Sequence, residues 1–263
     1  MGKDRFYSNR EKFSKILIKH DTNLSTFLFD SQVYVEGIRE SVSEVKKCCK
    51  PGSKILDLGC GTGFLAMQLA SLGFRVRGID VEHKNSEKIE EFKKKKGLQL
   101  KIWRALENDN LKLSFYDGLK LPFANRSMES VVAHAVIEHI PKANLPILVE
   151  EIRRVLKPGG LFFIFRTPRR QAYAEHLSKF LKLGSHEILM DEQKVAFLLE
   201  THGFKIISHQ RTDMIIGCLP GKLQDIWNLL SPFLLKLDKL LLKTPLNYFA
   251  HYMRIVCLKV EKD

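Results

Sequence analysis

One stretch near residue 60 has the residue types and the spacing of a ligand-binding turn. An aspartate is followed by three glycines at intervals of two residues, namely Asp57, Gly59, Gly61 and Gly63. An apolar run precedes them and an apolar helical pattern follows, so the segment is predicted to form a strand, a turn and a helix. Glycine adopts positive φ and lets a ligand approach the backbone, and the start of a helix attracts negative charge. The turn is therefore predicted to bind a ligand with a carboxylate or a phosphate.

Two common nucleotide-binding turns do not fit the residues at this place. The dinucleotide fingerprint requires a third glycine where this chain has Phe64, and the Gly-Lys-Ser/Thr end of a phosphate-binding loop is absent. The pattern of Asp57 and the three glycines instead resembles motif I of the class I S-adenosylmethionine-dependent methyltransferases. The resemblance implies that S-adenosylmethionine is the cofactor.

Further segments match this family in the same order along the chain. Asp80 closes the second predicted strand, where a carboxylate can accept both ribose hydroxyl hydrogens, with capping of the next helix as the alternative. The run 116–123 resembles the family segment whose acidic residue accepts from the adenine amino group. Glu138-His139 and the run 156–160 also resemble the family. The implied cofactor-binding residues are Asp57, Gly59, Cys60, Gly61, Gly63, Asp80, Asp117, Gly118, Leu119 and His134.

Strand and helix patterns alternate along most of the chain. Such alternation predicts an α/β fold with a parallel sheet and helices on both faces. The resemblance implies a doubly wound, Rossmann-like sheet of seven mostly parallel strands with an antiparallel last strand. We expect one domain, made of an N-terminal helical cap (1–50), a core (51–211 and 252–263) and a helical insertion (212–251). The predicted elements include strands at Phe74–Ile79 and Leu161–Phe165 and a helix at Ser86–Gly97.

The N-terminal 50 residues have the apolar periodicity of helices, for example at Val35, Ile38, Val42 and Val45. Two compatible interpretations follow. The helices pack on the core, or they also cover the mouth of the ligand site, as such helices often do in methyltransferases of this kind. In the second interpretation Tyr34 faces the cofactor and helps to bind the substrate.

Two histidines, His134 and His139, follow the fourth predicted strand. A hydroxyl acceptor requires a base, and histidine is the natural candidate near neutral pH. His139 is the first candidate and His134 the second. The alternatives are that His139 only holds the loop and that His134 only lines the cofactor pocket. Some relatives bind a divalent cation through Glu-x-x-Glu-His, but the first position here is Ala135, so no tightly bound metal is predicted.

Basic and apolar segments indicate the chemistry of the acceptor. Arg166, Arg169 and Arg170 follow the fifth predicted strand, and guanidinium groups bind phosphate or carboxylate bidentately. Residues 212–251 are rich in leucine and contain lysines, which is typical of a lid over a hydrophobic acceptor or of a helix on an anionic membrane. The alternatives are a solvated turn for the arginines and an ordinary pair of core helices for the insertion.

The composition favours an anionic partner and a reducing compartment. The 263 residues have a net charge of +13, and the five cysteines follow no metal or disulfide pattern. The first residues lack the apolar core of a secretion signal, and no run of 18 apolar residues occurs. We therefore expect a cytoplasmic protein, and the charge leaves peripheral contact with an anionic membrane open.

The predicted function is S-adenosylmethionine-dependent O-methylation of a small or lipid-linked hydroxyl acceptor. Enzymes that methylate amino groups of nucleic-acid bases resemble one another in an Asp/Asn-Pro-Pro-Tyr/Phe motif that is missing after the fourth strand, and no Pro-Cys nucleophile occurs. Nucleic acid is therefore the less favoured acceptor. The alternatives are a protein or RNA methyltransferase and a catalytically silent partner subunit of the same fold.

Overall fold

The structure is a computed structural model that describes residues 4–19, 29–81, 89–118, 120–180, 186, 188–219 and 221–261. The α-helices are α1 (Arg5–Lys19), α2 (Gln32–Cys48), α3 (Phe64–Ser71), α4 (Ile89–Leu106), α5 (Leu145–Val155), α6 (Tyr173–Phe180), α7 (Glu192–Thr201) and α8 (Leu223–Leu241). The strands are β1 (Lys54–Leu58), β2 (Arg75–Val81), β3 (Leu111–Tyr116), β4 (Met128–His134), β5 (Leu156–Pro168), β6 (Phe204–Thr212) and β7 (Tyr252–Lys259). Short 3₁₀ helices span Ile137–His139 and Pro245–Phe249.

The seven strands form one sheet in the order β3-β2-β1-β4-β5-β7-β6. Strands β1 to β5 pair in parallel, and β7 runs antiparallel to both of its neighbours. The predicted fold class is confirmed. Because the strand order reverses between β1 and β4, a crevice is expected at the carboxyl ends of these two strands, which is where open α/β sheets bind ligands.

Each face of the sheet has its own layer of buried side chains. On one face, α1 and α4 contribute residues such as Phe13 and Trp103. On the other face, α5 contributes Ile152. Strand β1 supplies neighbouring residues to both layers, Ile55 to the first and Leu56 to the second. Burial on both faces fixes β1 in the middle of the sheet and holds the turn that follows it.

Strands β2 and β5 are longer than predicted. Strand β2 continues to Val81, so Asp80 lies inside the strand, opposite Phe115 of β3, rather than after it. Strand β5 continues to Pro168, so Arg166 lies within the strand rather than in a turn. Pairing with a neighbouring strand extends both elements past the point where the apolar pattern ends.

Helix α4 is also longer than predicted, because it passes through Gly97 and ends at Leu106. A glycine inside a helix costs about 1 kcal/mol relative to alanine. The helix forms despite that cost because Ile102 and Trp103, which follow the glycine, are buried against the sheet. Tertiary packing therefore outweighs the tendency of Gly97 to end the helix.

Residues 212–251 contain one long helix, α8, rather than the pair of helices weighed as an alternative. The side-chain oxygen of Asn228 on α8 accepts from the N–H of Gln32 at 2.9 Å, and its amide nitrogen donates to the carbonyl of Asp30 at 3.0 Å. The insertion is thus bound to the start of α2. In the part of the chain that the structure describes, none of the helices has the length and apolarity needed to cross a bilayer.

Candidate active site

The glycine turn joins β1 to α3, and its glycines have positive φ angles of 68° at Gly59, 53° at Gly61 and 86° at Gly63. A Cβ at Gly59 would lie 2.7 Å from Cγ2 of Val136, and a Cβ at Gly63 would lie 3.0 Å from Cδ1 of Leu113. A Cβ at Gly61 would meet no described atom within 4 Å. Of the three glycines, therefore, only Gly61 offers open backbone along which a ligand can lie.

Asp80 and helix α4 hold this turn in place. The N–H of Gly61 donates to Oδ2 of Asp80 at 2.8 Å. The carbonyl of Gly61 accepts from Nε1 of Trp103 at 2.9 Å and from Nε2 of Gln99 at 2.8 Å. Asp80 lies at the predicted edge of the sheet, beside the turn. The contacts of Gln99 and Trp103 with the turn were not predicted, because the predicted helix ended at Gly97.

Asp57 is almost fully buried, and its Oδ2 atom has no hydrogen-bond partner among the described residues. Burial, and then the charge of Asp80, raises the pKa of Asp57 to about 8. A buried acceptor that no donor reaches is costly, by about 1–3 kcal/mol. A ligand that brings an N–H donor to this oxygen, such as an amino group, would remove that cost.

Other predicted cofactor residues follow β1 or β3 or lie outside the described residues. Cys60 is buried, and burial raises the pKa of its thiol well above the usual value. Asp117 is exposed, and its Oδ1 accepts from the N–H of Lys120 at 3.2 Å. Gly118 has a φ of 85°, which suits glycine. Leu119 lies outside the described residues.

Two titratable side chains are enclosed at the end of β4 and in the segment that follows it. Nε2 of His134 is buried without a described partner, and burial, helped by Arg166, lowers the pKa of His134 to about 3. Glu138 is 2% exposed, neither of its carboxylate oxygens has a hydrogen-bond partner among the described residues, and burial raises its pKa to about 7. His139 differs, since 67% of its side chain is exposed. From the sequence, Glu138 was considered only as part of an incomplete metal motif, because a motif does not show whether a side chain is buried.

Arg166 is a buried cation held between two aromatic rings. Its guanidinium carbon lies 4.7 Å from the ring centre of Tyr34 and 4.4 Å from that of Tyr252, and Nη1 lies 3.4 Å from Oδ2 of Asp213. Burial opposes the charge, but Asp213, Tyr252 and Tyr34 together outweigh this effect and raise the pKa of Arg166. Arg166 and Asp213 have φ angles of 54° and 60°. Such strain in non-glycine residues clusters at functional sites.

The predicted cluster of three arginines does not form. Arg169 is fully buried; it donates to the carbonyls of Tyr248 at 3.0 Å and Ala250 at 2.7 Å and to Oε2 of Glu192 at 2.9 Å. Its guanidinium is committed to internal bonds, so the structure contradicts its assignment to the substrate. Arg170 is exposed beyond the end of β5. The arginines were grouped because they are close along the chain. Residues that are close in an extended chain can nevertheless point in opposite directions.

A family model described as a methyltransferase domain matches residues 56–164, from β1 into β5. That span contains the glycine turn, Asp80, Asp117 and Glu138, arranged on the sheet order found above. Residues 56–164 of this chain are a class I S-adenosylmethionine-dependent methyltransferase domain. The predicted family is confirmed.

Relatives of this methyltransferase domain cover different shares of the chain. The mitochondrial ubiquinone biosynthesis O-methyltransferase of Rattus norvegicus is 27% identical over 217 residues, which is 77% of this chain and 54% of that protein. The sterol 24-C-methyltransferase of Gibberella zeae is 35% identical over 117 residues, 44% of this chain and 28% of that protein. The chain thus spans about half or less of these relatives' lengths.

A solved structure shares the fold of the methyltransferase domain. Phosphoethanolamine N-methyltransferase 2 of Haemonchus contortus, in complex with S-adenosyl-L-methionine, has a TM-score of 0.55 at 19% identity over 95% of this chain and 60% of that chain. The predicted cofactor is confirmed for this class of domain. The open backbone at Gly61, the carboxylate of Asp80 and the unpartnered oxygen of Asp57 fit the sugar and amino groups of that cofactor.

The packing of Arg166 on the methyltransferase cap can be tested at Gly37, inside α2. A Cβ at Gly37 would overlap Nη1 of Arg166, whereas a Cβ at Gly97, inside α4, would meet no described atom within 4 Å. Alanine is favoured over glycine in a helix by about 1 kcal/mol. We expect Gly97→Ala to raise the free energy of unfolding, and Gly37→Ala to lower it by about 1–3 kcal/mol, as overpacking does. Chemical denaturation measures both, and equal stabilisation would show that Arg166 is not fixed.

Proposed function

We propose that this protein transfers a methyl group from S-adenosylmethionine to a hydroxyl oxygen of a small or lipid-linked acceptor that carries an acidic group. One observation supports the proposal most strongly: the buried guanidinium of Arg166 lies at the same carboxyl edge of the sheet as the cofactor groove. His134, at the end of β4, pairs with Phe165, the residue directly before Arg166. An acceptor anchored by its anionic group at Arg166 therefore lies beside the end of β4.

The names of the relatives support the acceptor class. The rat protein is named for O-methylation in ubiquinone biosynthesis, and the Gibberella zeae protein for methylation of a sterol carbon. The rat protein aligns with 77% of this chain and the sterol enzyme with 44%. Because the longer alignment extends beyond the cofactor-binding core, we choose oxygen over carbon as the methylated atom.

When bound, S-adenosylmethionine supplies an electrophilic methyl carbon and takes back the electron pair of the broken bond on sulfur. The residues of this chain contribute alignment, which is worth about 7–11 kcal/mol in well-oriented reactions. Gly61 and Asp80 hold one substrate, and Arg166 holds the other. Tyr34 of the cap closes over Arg166, with its ring 4.7 Å from the guanidinium, and excludes water from that side.

A hydroxyl acceptor also needs a base, and the enclosed groups differ in their suitability. His134 is a weak base because its pKa is lowered to about 3 by burial. We keep His139 as the first candidate, since it follows the same strand and is exposed. Glu138 is the second, because burial raises its pKa to about 7, where general bases work well at neutral pH.

The assignment of the cofactor groove rests on Asp80. Removing a charged hydrogen-bond acceptor costs about 1.5–3 kcal/mol, so Asp80→Ala should weaken binding of S-adenosylmethionine by roughly 10- to 100-fold. Asp109→Ala, in the exposed turn before β3, is the matched control and should bind like the parent. Isothermal titration calorimetry measures all three proteins. If Asp80→Ala binds as tightly as the parent, the groove is not where S-adenosylmethionine binds.

The acceptor class is tested with S-adenosylmethionine that carries a labelled methyl group. The protein is incubated with this cofactor and a fractionated cell extract, with Asp80→Ala as the inactive control. We expect label in lipid or small acidic metabolites, because Arg166 suits an anionic group. Label in protein or RNA would support the alternative methyltransferase functions. Cofactor binding without label in any fraction would support a silent partner subunit.

We further propose that the protein is cytoplasmic and that α8 contacts an anionic membrane surface. The outer face of α8 exposes Leu229 at 80% and Phe233 at 65%, which is unusual for large apolar side chains. Lys236 and Lys239 lie exposed on the same helix. Apolar residues with basic neighbours are typical of helices that lie at anionic interfaces. Such a surface would give the proposed lipid-linked acceptor access to the site.

Co-sedimentation with anionic liposomes tests this membrane contact. We expect the protein to pellet with the liposomes at low salt and to be released at high salt, because salt screens the lysines. Leu229→Glu and Phe233→Glu should each reduce binding. Phe197→Glu is the matched control, since Phe197 is 69% exposed on α7, away from α8. A protein that stays in the supernatant at low salt would leave α8 without a membrane role.

A further inference from the structure

Three side chains outside the cofactor groove form a compact group of metal-ligand type. Glu175 lies on α6, His186 lies between α6 and α7, and His251 directly precedes β7. One ligand atom from each lies within 4.8 Å of the others. Oε1 of Glu175 is 2.6 Å from Nδ1 of His186 and 2.5 Å from Nε2 of His251. The fold thus brings two imidazole nitrogens into hydrogen-bond contact with one carboxylate oxygen.

We propose that Glu175, His186 and His251 bind one divalent transition-metal ion, such as Zn²⁺. Two imidazoles and one carboxylate are a donor set of catalytic zinc sites and of open sites for other first-row metals. Mg²⁺ and Ca²⁺ prefer oxygen ligands, so this set selects against them. Three protein ligands leave at least one position for water or for an acceptor atom. The sequence analysis considered only Glu138 and His139 as metal ligands, and it therefore predicted no metal.

The surroundings of the three residues resemble the outer shell of a metal site. The side chain of Glu175 is 5% exposed and that of His251 is 13% exposed. Oε2 of Glu175 accepts from the backbone N–H of His186 at 2.9 Å, which leaves Oε1 directed at the rings. The ring of His251 stacks on Tyr252 with centroids 3.8 Å apart. Such contacts fix the orientation of metal ligands.

A second observation concerns the neighbouring residue Glu138. Both of its carboxylate oxygens are buried without a hydrogen-bond partner among the described residues, and Oε1 lies 4.0 Å from Nε2 of the exposed His139. The ring of His139 lies 6.4 Å from the ring of His186. A buried carboxylate without hydrogen bonds is costly, and a cation bound at the group of three would help to offset that cost.

The metal site adjoins the residue proposed to bind the acceptor. The ring of Tyr252 stacks on His251, and the guanidinium of Arg166 lies 4.4 Å from the same ring. An ion held by the three ligands would therefore be separated from Arg166 by the ring of Tyr252, and it would lie near an acceptor whose anionic group binds at Arg166. This role toward the acceptor rests on the proposed function, whereas binding of the ion does not.

Zinc binding is measured without cofactor or acceptor, on protein treated with a chelator. The background is Cys48→Ser with Cys49→Ser, because these adjacent thiols, one exposed and one half-buried, would also bind Zn²⁺. We expect one equivalent of Zn²⁺ by calorimetry and by metal analysis after gel filtration, and no heat with Mg²⁺. His186→Ala and Glu175→Gln should weaken binding by more than about 100-fold, the upper range for loss of an outer-shell partner.

His209→Ala is the matched control. His209 also pairs with a glutamate, Nε2 to Oε1 of Glu192 at 3.2 Å, but it lies outside the group of three. This variant should bind Zn²⁺ like the parent. Co²⁺ provides a second readout, because its visible absorption should report imidazole and carboxylate ligands in the parent and change in His186→Ala. Titration with S-adenosylmethionine shows whether each variant is folded.

The outcomes separate the metal site from the proposed function. Less than one equivalent of Zn²⁺ in the parent, or equal binding by folded His186→Ala and parent, would overturn the site and leave a hydrogen-bonded group only. Stoichiometric Zn²⁺ binding without methyl transfer to any extract fraction would support the site and contradict the proposed function. Methyl transfer that chelation leaves unchanged would confine the ion to a structural role.

Discussion

The buried charge of Arg166 is the constraint on which the proposed acceptor side of the molecule depends. An arginine that is 6% exposed must be compensated, and Asp213 supplies the opposite charge at 3.4 Å. Removing one partner from a buried pair typically costs about 3–5 kcal/mol. The pair joins β5 to the segment after β6, and the rings of Tyr34 and Tyr252 add α2 and β7. One desolvated cation thus couples the cap, the core sheet and the insertion.

The two sides of the site are built in different ways. On the proposed cofactor side the binding surface is mainly backbone. The turn leaves one face of Gly61 open, while the N–H and carbonyl of Gly61 are bonded to Asp80 and α4. On the proposed acceptor side the polar groups belong to side chains, since Arg166, Glu138 and His134 all have enclosed polar atoms. Backbone surfaces suit a ligand that is constant across a family, and side chains suit an acceptor that varies among its members.

The cap and the insertion depend on each other. Helix α8 reaches the start of α2 through Asn228, and Glu40 of α2 lies 3.8 Å from Lys239 of α8 and 3.4 Å from Arg254 of β7. The inner face of α8 therefore holds the cap, while its outer face stays apolar and exposed. If α8 rests on a membrane, the helix that gives the acceptor access to the site is also the helix that positions the cap.

The sequence by itself determined the fold class, the glycine turn and the place of Asp80, because these depend on local spacing and on the apolar periods of strands and helices. It did not determine which glycine has open backbone, since Gly59 and Gly63 are set by contacts with distant side chains. It grouped Arg166 with Arg169, although tertiary structure sends Arg169 into internal bonds. Only the tertiary structure brought together Glu175, His186 and His251, because no local pattern links positions that meet through the packing of separate elements.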